Sequence, residues 1–372
     1  MKVAQSDVML NRLETYVRHE TPTGHPAQLN ALGEVLLDRH RGLGARVRRV
    51  PHETGDHLVM DHPGTGSKTT AAPVLFIGHH DTVWPLGQLE AVMPWRVDDG
   101  VASGPGAYDM KGGLVVLETA LELVADVEHP PVRVVIVADE EVGSPTSTAL
   151  ITQCADGVAA ALGFEAPHPD GRFKVGRRGS TRLRLTIHGI EAHAAADPDK
   201  GVSAVDELVD QLIELRSIVT ATPDEVLCNV GTVWGGSRTN VVPALASADI
   251  GLRFTSAHSE RTILNQIRAL TPIRTGAVVH VETMSQRPTW MPNQGPSNLL
   301  EALVAAGGRL GQRVDSRPAA GAADTNTTGS MGIATVDGLG PRGAGAHAIH
   351  EQVIVSSLPE RATLVGTILT LL

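Results

Sequence analysis

Apolar and polar positions along the chain change period near Val175, and the change divides the sequence. From Leu10 to Val17 the apolar residues recur at helical spacing. Thr21-Pro22-Thr23-Gly24 breaks the pattern, and a second helix is expected from Ala27 to Arg39. Continuous apolar runs follow at Val74-Leu75-Phe76-Ile77, Val132 to Ala138 and Val158 to Phe164, with a helical stretch from Gly112 to Ala125 between the first two. Strands alternating with helices in this way predict an α/β domain with a mostly parallel central sheet.

Beyond Val175, Thr181-Arg182-Leu183-Arg184-Leu185-Thr186-Ile187 alternates with period two, as a strand with one wet face does. Val202, Val205, Leu208, Val209, Leu212 and Leu215 then fall on one side of a helix. Strands are expected at Cys228 to Val233 and Ala246 to Phe254, a helix at Arg261 to Leu270, and a strand at Ala277 to Thr283. That order is the order of a ferredoxin-like α+β unit. The α/β pattern resumes at Ser297, with a helix from Asn298 to Ala306. The expectation is a discontinuous first domain, residues 1–177 and 289–372, with residues 178–288 inserted as a second.

The length of 372 residues suits two cores rather than one. A net charge of −10 and the lack of a basic block longer than Arg46-Val47-Arg48-Arg49 argue against a nucleic-acid partner. No apolar signal core lies between Met1 and Arg12, and no run approaches transmembrane length. The expected protein is cytoplasmic and has no membrane partner. Cys154 and Cys228 read as reduced core residues.

Three predicted strands end in residue types that ligate metals: His79-His80-Asp81-Thr82-Val83, Asp139-Glu140-Glu141-Val142-Gly143-Ser144, and Phe164-Glu165. A glycine-rich loop carries Asp109-Met110-Lys111-Gly112-Gly113, and a second carries His347 and His350. Each piece alone has a bland reading, as a helix cap or a solvated charge. Two adjacent acids at the end of a buried strand, however, repel unless a cation lies between them. Mixed histidine and carboxylate donors suit zinc, with manganese or cobalt as alternatives. Gly104-Pro105-Gly106 lacks the third glycine of a dinucleotide fingerprint, and Gly64 to Lys68 is a surface turn rather than a P-loop.

Taken in order, these motifs resemble the M20 metallopeptidases, and within them the glutamate carboxypeptidase (carboxypeptidase G2-like) branch, from about Thr21 to Val353. The resemblance implies a dizinc aminopeptidase-like catalytic domain with an inserted lid and dimerisation domain. It implies that Asp109 bridges two divalent metals, His79 and Glu165 completing one and Glu141 and His347 the other. Asp81 would orient His79, and Glu140 would be the general base. Adjacent strand residues point to opposite sides, so with Glu141 turned to the metal Glu140 is not itself a ligand and is free for proton transfer. His193 would cross a homodimer to stabilise the oxyanion, and Asn240 and Arg253 would hold the substrate carboxylate. The implied substrate is a small peptide or N-acyl amino acid, cleaved at an amide next to a free carboxylate. An N-acyl-amino-acid deacylase with the same site is the alternative, and an inactive metal-binding relative is a third reading. His80 and His350 are set aside, His350 because the glycine-rich approach and the spacing to Glu351 favour His347. Gly321-Ala322-Ala323-Asp324-Thr325 and Ala195 depart from the family pattern.

Overall fold

The computed structural model describes residues 2–292 and 298–372, so Ser297, where the α/β pattern is expected to resume, lies outside the described residues. The chain divides into two compact units. One comprises Met1–Gly176, Pro292–Ala319 and Ala323–Leu372, the other Arg177–Met291 and Ala320–Ala322.

The first unit is built on a six-stranded sheet in the order Arg46–Val50, His57–His62, Val132–Val137, Val74–His79, Ala160–Gly163, Thr335–Val336. The first two pairings are antiparallel and the other three parallel, so the sheet is mixed. The reason is local: Arg46–Val50 and His57–His62 are joined by a short connection, which forces them to run antiparallel.

Every residue of Val74–His79 is buried, because both faces of the sheet are covered. Val74 and Phe76 pack with Leu13, Leu36, Leu114, Leu117, Leu303 and Val365 from the helices on one side. Leu75 and Ile77 face the other side, with Leu150, Ile151 and Cys154. Phe76 sets its ring 4.8 Å from that of Phe164. Truncation of Phe76 to Ala is expected to cost about 3–5 kcal/mol. A buried carboxylate also ties three helices together, as Glu118 accepts hydrogen bonds from the Tyr16 hydroxyl and from Arg39 Nε at 2.8 Å.

The second unit carries a four-stranded antiparallel sheet in the order Val226–Gly235, Leu245–Phe254, Gly179–His188, Val278–Arg287. Helices Ala204–Thr220 and Ala257–Arg268 cover one face, burying Leu183, Leu185, Ile187, Ala248 and Ile250. The alternate residues, among them Ser180, Arg182, Arg184 and Arg253, stand on the open face. Ser203 caps the first helix by accepting the Asp206 amide at 3.2 Å, and Ser256 caps the second by accepting that of His258 at 3.2 Å. Strand order and connectivity are ferredoxin-like. Among the described residues no helix is long and apolar enough to cross a membrane.

Candidate metal centre

Val132–Val137, Val74–His79 and Ala160–Gly163 are parallel neighbours, so their carboxyl ends meet at one edge of the first unit's sheet. The first runs through Asp139 into a 3-10 turn, Glu140–Val142; the second ends on His79; the third leads into Glu165. Two loops close over this edge. One carries Asp109 in an irregular helical turn, Ala107–Lys111, and the Asp109–Met110 peptide is cis. The other carries His347 with φ 60, in the left-handed region.

His79 Nε2 lies 3.3 Å from Asp109 Oδ1 and 3.4 Å from Glu165 Oε1. His347 Nε2 lies 3.3 Å from Asp109 Oδ2 and 3.0 Å from Glu141 Oε2. Asp109 therefore stands between the two imidazoles and turns one oxygen to each. His79 Nε2 and Glu141 Oε1 are buried and make no hydrogen bond. Orphaned donor atoms on residues of this chemistry fit a cation. His79, Asp109 and Glu141 offer ligand atoms within 4.8 Å of one another, and so do His79, Glu140 and Glu165.

The electrostatics point the same way. Hydrogen bonds to Asp109 and Glu141 push the His347 imidazole up to about 11. Burial would depress His79, but Asp109, Asp81 and Glu165 overcome it and hold that ring well above its ordinary range. Burial raises Glu141, and the charge of Asp109 adds to the effect. Carboxylates crowded around two imidazoles in this way create a demand for positive charge, which divalent cations supply.

Asp81 is fully buried and fixes the geometry beneath. Its Oδ1 is 3.3 Å from His79 Nδ1, whose nearest acceptor is the Asp81 carbonyl at 3.0 Å. The same carboxylate accepts the amides of Glu140 and Glu141 at 3.2 Å and the Thr23 hydroxyl at 2.8 Å. Glu140 and Glu141 thus belong to a turn, not a strand, and strand alternation does not separate them. The turn pinned by Asp81 sets their directions instead.

The reading of the sequence missed Glu351, which it used only as a spacing. This buried carboxylate accepts four hydrogen bonds: from Trp84 Nε1 at 2.7 Å and the amides of Gly106 at 3.0 Å, Tyr108 at 2.8 Å and Asp109 at 3.0 Å. It joins the loop of His347 to that of Asp109. The available signal was the glycine-rich loop itself, whose amides need an acceptor once buried. Gly106, at φ 71, gives the turn that aims them. Gly113 allows a close approach: a Cβ there would sit 2.1 Å from the Phe164 carbonyl oxygen, next to Glu165. His80 is fully buried with neither ring nitrogen hydrogen-bonded, and burial pushes it down to about 4. His350 is exposed. Among the described residues neither joins a metal-type group.

The remaining predicted site residues lie in the second unit. His193 is exposed, in a two-residue strand paired with Val241–Val242. Its Nδ1 accepts the amides of Ala195 at 3.2 Å and Ala196 at 3.0 Å, so the neutral ring carries its proton on Nε2. The Asn240 carbonyl accepts the Ala194 amide at 3.0 Å. Arg253 Nη1 donates to Ser180 Oγ at 2.5 Å and to the Leu252 carbonyl at 3.1 Å. Burial and the neighbouring Arg182 and Arg287 lower its pKa.

Residues 75–370 match the family described as peptidase family M20/M25/M40. The chain is 29% identical to carboxypeptidase G2 of Pseudomonas sp. (strain RS-16), over 96% of this chain and 87% of that one. It is 27% identical to the succinyl-diaminopimelate desuccinylase of Gluconacetobacter diazotrophicus, over 91% of this chain and 90% of the relative. Its fold is similar to that of aminopeptidase PepT from Bacillus cereus (TM-score 0.76, 21% identity, 99% and 98% of the two chains). It is also similar to an M20 family metallo-carboxypeptidase from Sulfolobus solfataricus (TM-score 0.71, 14% identity, 98% of each chain).

Proposed function

The chain belongs to peptidase family M20/M25/M40, and from that premise we propose that this metallohydrolase of amide bonds is a carboxypeptidase-like enzyme, releasing an amino acid with a free carboxylate. The observation that carries the reading is Asp109 between His79 and His347, with Glu165 and Glu141 completing the two sides. These residues would hold two divalent cations, zinc by donor type. Such a pair, when bound, acidifies a water and polarises the scissile carbonyl.

Glu140 takes the proton from the attacking water and returns it to the leaving nitrogen. His193 donates from Nε2 to the oxyanion as negative charge develops, because its Nδ1 is occupied as an acceptor. Arg253 and Asn240 hold the free carboxylate, Arg253 through a planar fork that matches two oxygens. Arg182 and Arg287 beside Arg253 favour an acidic leaving amino acid such as glutamate. The inserted unit, taken as residues 178–288, acts as lid and dimer contact, and His193 serves the partner's site. The exposed apolar residues Val209 and Ile213 on its helix, and Val233 and Trp234 on its edge strand, support that pairing.

The second reading, an N-acyl-amino-acid deacylase, is supported by the similarity to the desuccinylases. The test is metal analysis followed by hydrolysis of a panel of peptidyl, N-aroyl and N-succinyl amino acids by the zinc-loaded enzyme. A highest kcat/KM for substrates ending in glutamate is expected, together with a metal stoichiometry near two. A preference for N-succinyl substrates regardless of the amino acid would move the assignment to the deacylase.

A further inference from the structure

The first unit holds a cavity of about 500 Å³ that shares no residue with the metal-facing cluster. Its walls are the turn from Asp170 to Phe173, the segment from Gly311 to Asp315, Arg342, and Glu360 and Arg361 of the Ser357–Leu371 helix. Four guanidinium groups line it, those of Arg172, Arg313, Arg342 and Arg361, against the three carboxylates of Asp170, Asp315 and Glu360.

All three carboxylates are already engaged. Arg172 donates to Asp315 at 2.7 Å and to Asp170 at 3.0 Å, and Arg342 donates to Glu360 at 2.7 Å. Among the described residues no carboxylate pairs with Arg313 or Arg361. Arg361 is 5% exposed and stacks over the Phe173 ring at 4.5 Å. Its Nη2 donates to the Gly171 carbonyl at 2.9 Å. Its Nε, like that of Arg342, is buried with no hydrogen-bond partner. Burial pushes Arg361 down to about 10, an unusual position for a guanidinium. Two buried guanidinium nitrogens without an acceptor, side by side on one cavity wall, are what a site for an oxyanion offers.

We propose that this cavity binds a small multivalent oxyanion, of the phosphate or polycarboxylate class, between Arg361 and Arg342 with Arg313 at its mouth. Guanidinium forks match such oxygens in pairs. The volume suits a ligand the size of a phosphate ester or a tricarboxylate.

The experiment is calorimetric titration of inorganic phosphate and of citrate into the zinc-loaded full chain, with sodium chloride at matched ionic strength as control. Wild type, Arg313→Ala and Arg361→Gln are compared, because an anion also binds at a metal pair and only the variants separate the two locations. Saturable binding that weakens by about tenfold or more in the variants is expected, at unchanged metal content. The stronger of the two anions identifies the source, phosphoryl or polycarboxylate. Binding in Arg313→Ala equal to wild type for both anions overturns the proposal, as does a response that chloride reproduces. Should Arg361→Gln fail to fold, the exposed Arg313→Ala decides alone.

Discussion

Glu351 Oε1 accepts the backbone amide of Asp109 at 3.0 Å, so a carboxylate four residues beyond His347 holds the main chain of the residue between the two imidazoles. Its partner oxygen holds Gly106 and the Trp84 indole. Glu351→Gln would turn an NH2 group towards one of these donor pairs and leave it unmade. The expected result is a folded protein whose zinc affinity, read by chelator competition, falls about 10–100-fold, as outer partners of metal ligands typically give. Trp84→Phe removes a single donor and should fall well short of that. Unchanged affinity in Glu351→Gln would mean the tie plays no part in metal binding.

Glu140→Gln keeps the shape of the side chain and removes its basicity. Metal content and melting temperature should match wild type, while kcat drops by about 10²–10⁴-fold. A parallel loss of bound metal would instead make Glu140 a ligand, an outcome its closeness to His79 and Glu165 makes worth measuring.

The trans role of His193 is open to complementation. Chains carrying His193→Ala and chains carrying Glu140→Gln are each expected to be nearly inactive. After subunit exchange, one site of each mixed dimer combines both intact groups, and activity should return towards half of wild type. Proven exchange without recovery would refute the crossing.

A fourth expectation concerns acid. His62 is buried, and burial with nearby His129 pushes it down to about 4 from 6.5, although Asp61 pulls the other way. Its Nε2 shares a 2.8 Å contact with Nδ1 of the buried His40, which is also depressed by burial. The unfolded chain therefore binds these protons first. Stability is whole above about pH 6.5 and falls as pH drops towards 4, by at most about 1.4 kcal/mol per pH unit for each imidazole. Urea midpoints between pH 7 and 5 should show the slope, and His62→Gln should flatten it.

Elements with a regular apolar pattern, alternating or continuous, were legible in the sequence. Thr181 to Ile187 alternates because one face of its strand is covered by helices and the other is open. Val74 to Ile77 reads as a strand because both of its faces are buried. Ser357–Leu371 escaped notice because it is buried nearly all round and shows no stripe. Arg46–Val50 escaped because its arginines made a partly exposed edge strand look like a charge run. In the candidate metal cluster the residue types were legible. The turn that aims Glu140 and Glu141, and the four donors gathered by Glu351, were not, since both depend on chain segments far apart in sequence.

Gly113 makes one side of the cluster incompressible. With only 2.1 Å between a would-be Cβ and the Phe164 carbonyl oxygen, the helix that follows Asp109 rests against the main chain beside Glu165 like a gauge block against its stop. His79 is just as constrained, at 1% exposure, whereas the His347 side chain is 54% exposed on its left-handed loop. Tolerance is therefore unevenly shared: the contact of Gly113 with the Phe164 main chain leaves no slack, and the side of His347 has the play. Cations of different radius should accordingly be fitted by movement of His347, with the His79 side as the datum from which they are measured.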